Sequence, residues 1–265
     1  MLHAEINGRS IAYKRAGAGP ALVLLHGFTH DSRVWRPQLE SLSDALTVIA
    51  WDAPGAGQSV DPPETFEIAD WADCLAGLLD SAGVQHAHIL GLSWGGLLAQ
   101  EFYRRYPQRS LSLILADTYA GWKGSLPAPI PEERLAACLR DSHLPPSEFV
   151  PKYLPGMFSE SPTQEAQEEL ASIMAAFHPL GFRLMATALA KADSRFLLPT
   201  IRVPTLLVWG DADKRSPLEV AYKMHDAIPK ARLAVISGAG HASNLEKPAQ
   251  FSAIVRDFVL SLTVS

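Results

Sequence analysis

The stretch Ala87-His88-Ile89-Leu90-Gly91-Leu92-Ser93-Trp94-Gly95-Gly96 runs on into Leu97-Leu98-Ala99-Gln100-Glu101-Phe102. It reads as a buried strand, a sharp turn and a helix. Gly91-x-Ser93-x-Gly95 puts a serine on the bend, and the glycines two residues to either side remove the Cβ atoms that would hold strand and helix apart. Ser93 Oγ then projects from the sheet edge. The start of the following helix aims its free backbone N–H groups and the positive end of its dipole at whatever that oxygen attacks. Five positions with three fixed recur by chance, so it is the strand, turn and helix context that gives the pattern weight.

The same rhythm extends along the chain. Residues 2–6 and 10–14 read as a hairpin around Asn7-Gly8, the dipeptide that best supplies positive φ angles in a tight turn. Short apolar runs then recur at Ala21–Leu25, Thr47–Trp51, Ala87–Leu90, Leu111–Ala116, Thr205–Trp209 and Arg232–Ile236, separated by helical patterns. Runs apolar on both faces suit a mostly parallel sheet covered by helices on both sides, which makes the fold class α/β. From Gly121 to Arg195 no strand-like run occurs, and Pro127, Pro129, Pro131, Pro145, Pro146, Pro151 and Pro155 cut the stretch into helical pieces at Glu132–Arg140, Ser147–Tyr153, Thr163–Phe177 and Leu180–Ala192. The expected organisation is a core of residues 1–120 and 196–265, with residues 121–195 inserted as a helical lid over the ligand crevice.

Composition narrows the classes. With 265 residues, 48% hydrophobic and 19% charged, the chain has enough apolar side chain for a real core, which excludes disorder and fibrous repeats. The net charge of −5 with no basic run argues against a nucleic-acid partner. Met1 to Arg15 resembles neither a signal nor a transit peptide, and Ala21–Leu25 is far too short to span a bilayer, so a cytoplasmic protein with no membrane partner is expected. Cys74 and Cys138 stand in no ligand spacing, and the Gly-rich segments suit turns rather than a dinucleotide fingerprint. No metal or cofactor is expected.

A serine hydroxyl is a poor nucleophile until a base takes its proton. Among nine histidines, His241 follows the run Arg232–Ile236 and the flexible Ser237-Gly238-Ala239-Gly240, at the sheet edge where Ser93 must also lie. His86 and His88 sit at the opposite end of the serine strand and read as surface or packing residues. His3, His30, His143, His178 and His225 read as solvated or locally bonded, and His26 as a structural tie within its turn. The acid that orients the base is expected beyond Thr205–Trp209. Asp213 is preferred there because it lies deeper in the loop, while Asp211 suits backbone amides and Asp117, after Leu111–Ala116, could approach the same histidine from the neighbouring strand. An oxyanion needs two donors, for which the Phe28 amide after Leu24-Leu25-His26-Gly27 and the Trp94 amide are placed.

His26-Gly27-Phe28, Asp52-Ala53-Pro54-Gly55-Ala56-Gly57-Gln58-Ser59, Gly91-Leu92-Ser93-Trp94-Gly95-Gly96, Gly210-Asp211-Ala212-Asp213 and Gly238-Ala239-Gly240-His241 together resemble the α/β-hydrolase superfamily, in the family's order and across essentially the whole chain. The resemblance is to its small capped serine hydrolases, the carboxylesterases and enol-lactonases. It implies a catalytic triad of Ser93, Asp213 and His241, no cofactor, and a small to medium, largely apolar ester or lactone as substrate. Carbon–carbon bond hydrolysis and haloperoxidase-type activity use the same triad, and a receptor on the same fold would keep it without turnover. Ser93 counts against the dehalogenases and epoxide hydrolases of this fold, which carry Asp there. Two departures are Ala56, where an aromatic or His is common, and Trp94, where Met is common and a Trp could crowd the pocket floor. Among apolar lid residues, Trp122, Phe158 and Phe177 are the expected substrate contacts. A base that must be neutral implies activity falling below about pH 6 to 7.

Overall fold

Asn7 and Gly8 both take positive φ, 52° and 74°, and turn β1 (Leu2–Ile6) back onto β2 (Arg9–Ala16) as an antiparallel hairpin. The second strand runs two residues past its expected end because Tyr13–Ala16 pairs antiparallel with β4. The computed structural model describes residues 1–262, so the last three positions of the expected segment 196–265 lie outside the described residues. After the hairpin come β3 (Ala21–Leu25), α1 (Arg36–Leu42), β4 (Thr47–Trp51), α2 (Ile68–Ser81), β5 (Ala87–Leu92), α3 (Trp94–Arg105) and β6 (Ser110–Ala116). The chain then passes through α4 (Trp122–Ser125), α5 (Ile130–Asp141), α6 (Pro146–Tyr153), α7 (Gln164–Met174) and α8 (Pro179–Lys191) without a strand. It closes with β7 (Thr205–Gly210), α9 (Leu218–Ala227), β8 (Arg232–Ile236), α10 (Ser243–Glu246) and α11 (Pro248–Ser261).

The eight strands form one sheet in the order β1-β2-β4-β3-β5-β6-β7-β8, parallel from β4 onward. Every residue of β4, β5 and β7 is buried, which requires cover on both faces and explains why these runs carry no polar alternation. The reading of Arg232–Ile236 as apolar on both faces needs correcting. As the outermost strand, β8 has a partner on one side only, and just Ile236 is buried. The short α4 has no sequence counterpart, since four residues are too few for a helical period to show. Among the described residues no single helix is long and apolar enough to cross a membrane.

Close approach at the C-terminal edge of the sheet is made possible by glycine. A Cβ on Gly91 would strike the Gly95 carbonyl, and one on Gly95 would strike the Leu25 carbonyl at the end of β3. Strand, turn and helix therefore meet without spacing. Gly95→Ala is expected to lower stability by about 1–3 kcal/mol through forced backbone displacement, read as a shift in the urea midpoint.

His88 was expected at a surface or in packing, and it is packed. It is 2% exposed, and its Nδ1 lies 2.8 Å from Ser112 Oγ on β6. Burial pushes its pKa down from 6.5 to about 4. Because the folded value lies below the unfolded one, the stabilisation is present above about pH 6.5 and is lost as pH falls toward 4, up to about 3 kcal/mol. The thermal midpoint is expected to drop between pH 7 and pH 4.5, and to drop less in His88→Asn. An equal drop in that variant would assign the titration elsewhere.

Candidate active site

Ser93 occupies φ 56°, ψ −116° at the junction of β5 and α3. Its N–H donates to the Ala116 carbonyl at 2.9 Å, and its own carbonyl accepts from the Thr118 hydroxyl. These bonds hold the turn open so that Oγ faces outward. His241 comes from the loop after β8, and its Nε2 is 2.9 Å from Ser93 Oγ. Its Nδ1 is 2.7 Å from Asp213 Oδ2 in the loop after β7. Asp213 is fully buried, and its Oδ1 accepts the backbone N–H groups of Arg215 at 2.7 Å and Ser216 at 2.9 Å. The structure thus brings Ser93, His241 and Asp213 into one hydrogen-bonded line.

The other two acids stand elsewhere. Asp211 accepts from the Gly238 N–H at 2.7 Å and the Ser237 hydroxyl at 2.9 Å, holding the loop that presents His241. Asp117 does not bond His241. It takes the Gly210 N–H at 2.9 Å and the Ser243 hydroxyl at 2.5 Å, and burial together with the charge of Asp213 pushes its pKa well above the carboxylate range. Gly27 packs so close to the elbow that a Cβ there would lie 3.6 Å from Ser93 Cβ. Trp94 is the first residue of α3, so its N–H is one of the helix's free N-terminal donors.

Trp94 and His30 depart from expectation, while His26 ties its turn as expected. Trp94 does not crowd the pocket, because its indole turns inward, edge-on to Trp71 at 5.3 Å. His26 bonds Gly27 O through Nδ1 at 2.8 Å and accepts the Ala53 N–H at Nε2, at 3.0 Å. His30 is neither solvated nor bonded. It is 5% exposed with both ring nitrogens unpartnered, and burial lowers its pKa well below the usual imidazole value.

Ser93 and His241 open onto a cavity of about 220 Å³ under the inserted helices. Trp122, Phe28, Tyr119 and Tyr153 supply its aromatic walls. Phe158 and Phe177 do not line it. Phe158 packs beneath Gly240 and faces a separate surface hollow, while Phe177 stacks on Phe149 at 3.9 Å inside the helical layer. The expected apolar wall is also interrupted by Arg134, Asp141, Lys152 and Arg215. Sequence reasoning missed these, although Arg134, Ala137, Cys138 and Asp141 fall at i, i+3, i+4 and i+7 on α5. A helix stripe mixing Arg and Asp is the mark of a face turned toward a polar space. Cys138 also lines the cavity, but burial pushes its thiol up to about 11, so it stays protonated.

A model of the alpha/beta hydrolase family matches residues 22–254. The chain is 29% identical to 3-oxoadipate enol-lactonase 1 of Acinetobacter baylyi over 98% of its length and 94% of that protein's. Among solved structures, a thermophilic esterase from Thermogutta terrifontis, with malate bound, superposes with a TM-score of 0.92 at 30% identity, covering 99% of both chains. The enol-lactonase from Burkholderia xenovorans LB400 gives 0.88 at 25% identity, covering 98% of this chain and 100% of that one. With its parallel sheet, its serine elbow and a family match over most of its length, the chain belongs to the alpha/beta hydrolase family.

Proposed function

We propose that this protein is a serine hydrolase that cleaves a small carboxylic ester or lactone through an acyl-enzyme on Ser93. The observation that carries the reading is the line Ser93 Oγ, His241, Asp213, with hydrogen bonds of 2.9 and 2.7 Å. Ser93 Oγ attacks the carbonyl carbon while its proton passes to His241 Nε2. His241 Nδ1–H donates to Asp213, which fixes the tautomer and stabilises the imidazolium as it forms. The tetrahedral oxyanion accepts from the Phe28 and Trp94 amides, and loss of either bond would cost roughly 3 kcal/mol in the transition state. Nε2–H then protonates the leaving oxygen as the carbon–oxygen bond breaks. Water repeats the sequence and releases the acid.

The relatives support ester chemistry, being an esterase and two enol-lactonases. A cavity of about 220 Å³ lies below the roughly 300 Å³ at which drug-sized sites begin, which favours a small substrate. The helical segment 121–195 acts in this reading as the lid that selects the substrate, and Trp122 on its first helix is the residue of the expected three that touches the cavity.

Ser93→Ala is expected to lower 4-nitrophenyl butyrate turnover by at least about 10⁴-fold, and a fluorophosphonate probe to label the wild type once, at Ser93. Full activity in Ser93→Ala would sink the assignment, and labelling without multiple turnover would favour a receptor. The acids separate likewise. Asp213→Asn should lose about 10⁴ in kcat, and Asp117→Asn less than tenfold. The reverse order would move the orienting role to Asp117.

A further inference from the structure

The cavity holds more positive charge than acyl transfer requires. Of its four charged wall residues outside the Ser93–His241–Asp213 line, Lys152 and Asp141 cancel each other, with Nζ 2.6 Å from Oδ1. Arg134 and Arg215 remain. Neither has a carboxylate within 4 Å among the described residues, whereas Arg33, Arg105, Arg109 and Arg256 on the surface each sit on an Asp. The two guanidinium groups are held by dipoles instead. Arg134 directs Nη1 and Nη2 at the Arg215 carbonyl, both at 3.1 Å, and lies over the Trp122 ring at 5.7 Å. Arg215 directs Nη2 at the carbonyls of Tyr153 and Pro155, and its Nε is buried with no partner at all.

Carbonyls fix the direction of a guanidinium but do not neutralise it. An arginine stays protonated even where burial lowers its pKa, as it does for Arg215. Arg134 reaches the Arg215 backbone on the same cavity wall, an arrangement of two cations that an anion between them stabilises, and the buried Arg215 Nε is costly until an acceptor meets it. Their ten N–H groups make four bonds to carbonyls and one, from Arg134 Nη1, to Tyr119 Oη at 3.3 Å, which leaves donors free on both. The unused donors lie on planar forks, which match the two oxygens of a carboxylate in a bidentate pair.

We infer that Arg134 and Arg215 form a carboxylate-binding subsite in the catalytic cavity, so that the preferred substrate is an ester or lactone bearing a free carboxylate. Assigning that carboxylate to a substrate rests on the hydrolase reading above. The cation pair anchors the anionic end while Ser93 and His241 address the ester carbonyl in the same cavity. Arg134 rides on α5 and Arg215 on the loop after β7, so the anion bridges the inserted helices and the sheet.

The test compares monoethyl adipate with ethyl hexanoate, following turnover by proton release, and measures adipate binding by calorimetry. In the wild type, kcat/KM for the charged ester should exceed that for the neutral one by at least about tenfold, as expected for a charge-assisted bidentate contact. That ratio should fall about tenfold in Arg134→Gln and in Arg215→Gln, mainly through KM, with adipate affinity weakening in parallel. Arg134→Gln carries the test if loss of the Tyr153 and Pro155 contacts unfolds the other variant. A wild-type ratio near one without adipate binding overturns the subsite, and so does a preference that survives substitution in the folded Arg134→Gln protein. Turnover of neither ester, with arginine-dependent adipate binding intact, would sink the hydrolase reading and leave the subsite standing.

Discussion

Ser93 is held at φ 56°, ψ −116°, a conformation that costs a non-glycine residue about 1–3 kcal/mol, and the site is arranged around keeping it there. The restraint comes from three segments. The N–H is taken by Ala116 at the end of β6, the carbonyl by the Thr118 hydroxyl, and the Thr118 carbonyl in turn by Ser216 Oγ at 2.6 Å. Ser216 also donates its N–H to Asp213. The elbow and the loop that carries the acid are therefore one hydrogen-bonded unit. Strain at the serine is balanced by the same residues that aim the carboxylate at His241.

This coupling also explains how two buried aspartates coexist beside one histidine. Asp213 accepts two backbone N–H groups and the His241 ring, so all three of its bonds come from donors. Asp117, on the neighbouring loop, has one backbone donor and the Ser243 hydroxyl, and it feels both burial and the charge of Asp213. Its pKa rises as a result. The two bonds of Asp117 tie the end of β7 to α10.

The sheet was legible in the sequence because a buried parallel strand leaves a local trace, a short apolar run ending in a Gly or Pro turn. β3, β4 and β7 follow this rule almost to the residue. β8 broke it for a reason composition could not carry, since edge position is a property of the assembled sheet. The serine elbow is likewise local, readable from glycine spacing alone. The cavity wall is not. Phe158, Phe177 and Trp122 are equivalent as apolar residues in the inserted segment, and only the packing of Phe177 on Phe149 and of Phe158 under Gly240 turns those two away from the cavity that Trp122 lines. The orientation of Trp94 was similarly hidden, because the first residue of a helix can turn toward either the pocket or the core.

The histidines show how one residue type is divided among roles by its surroundings. His88 and His26 each meet a neutral partner and are kept uncharged by burial. His30 meets none, yet lies so near the elbow that a Cβ on Gly27 would sit 3.0 Å from its Nδ1. His30 thus fills space beside the serine elbow as an imidazole lowered by burial. Burial is what chiefly keeps His30 uncharged, and the positive charge of Arg215 acts in the same direction. Among the nine, His241 alone joins a hydroxyl on one nitrogen to a carboxylate on the other. Burial is common to all four, so it cannot be what distinguishes His241. The difference lies in Asp213, whose charge compensates the imidazolium that burial alone would forbid.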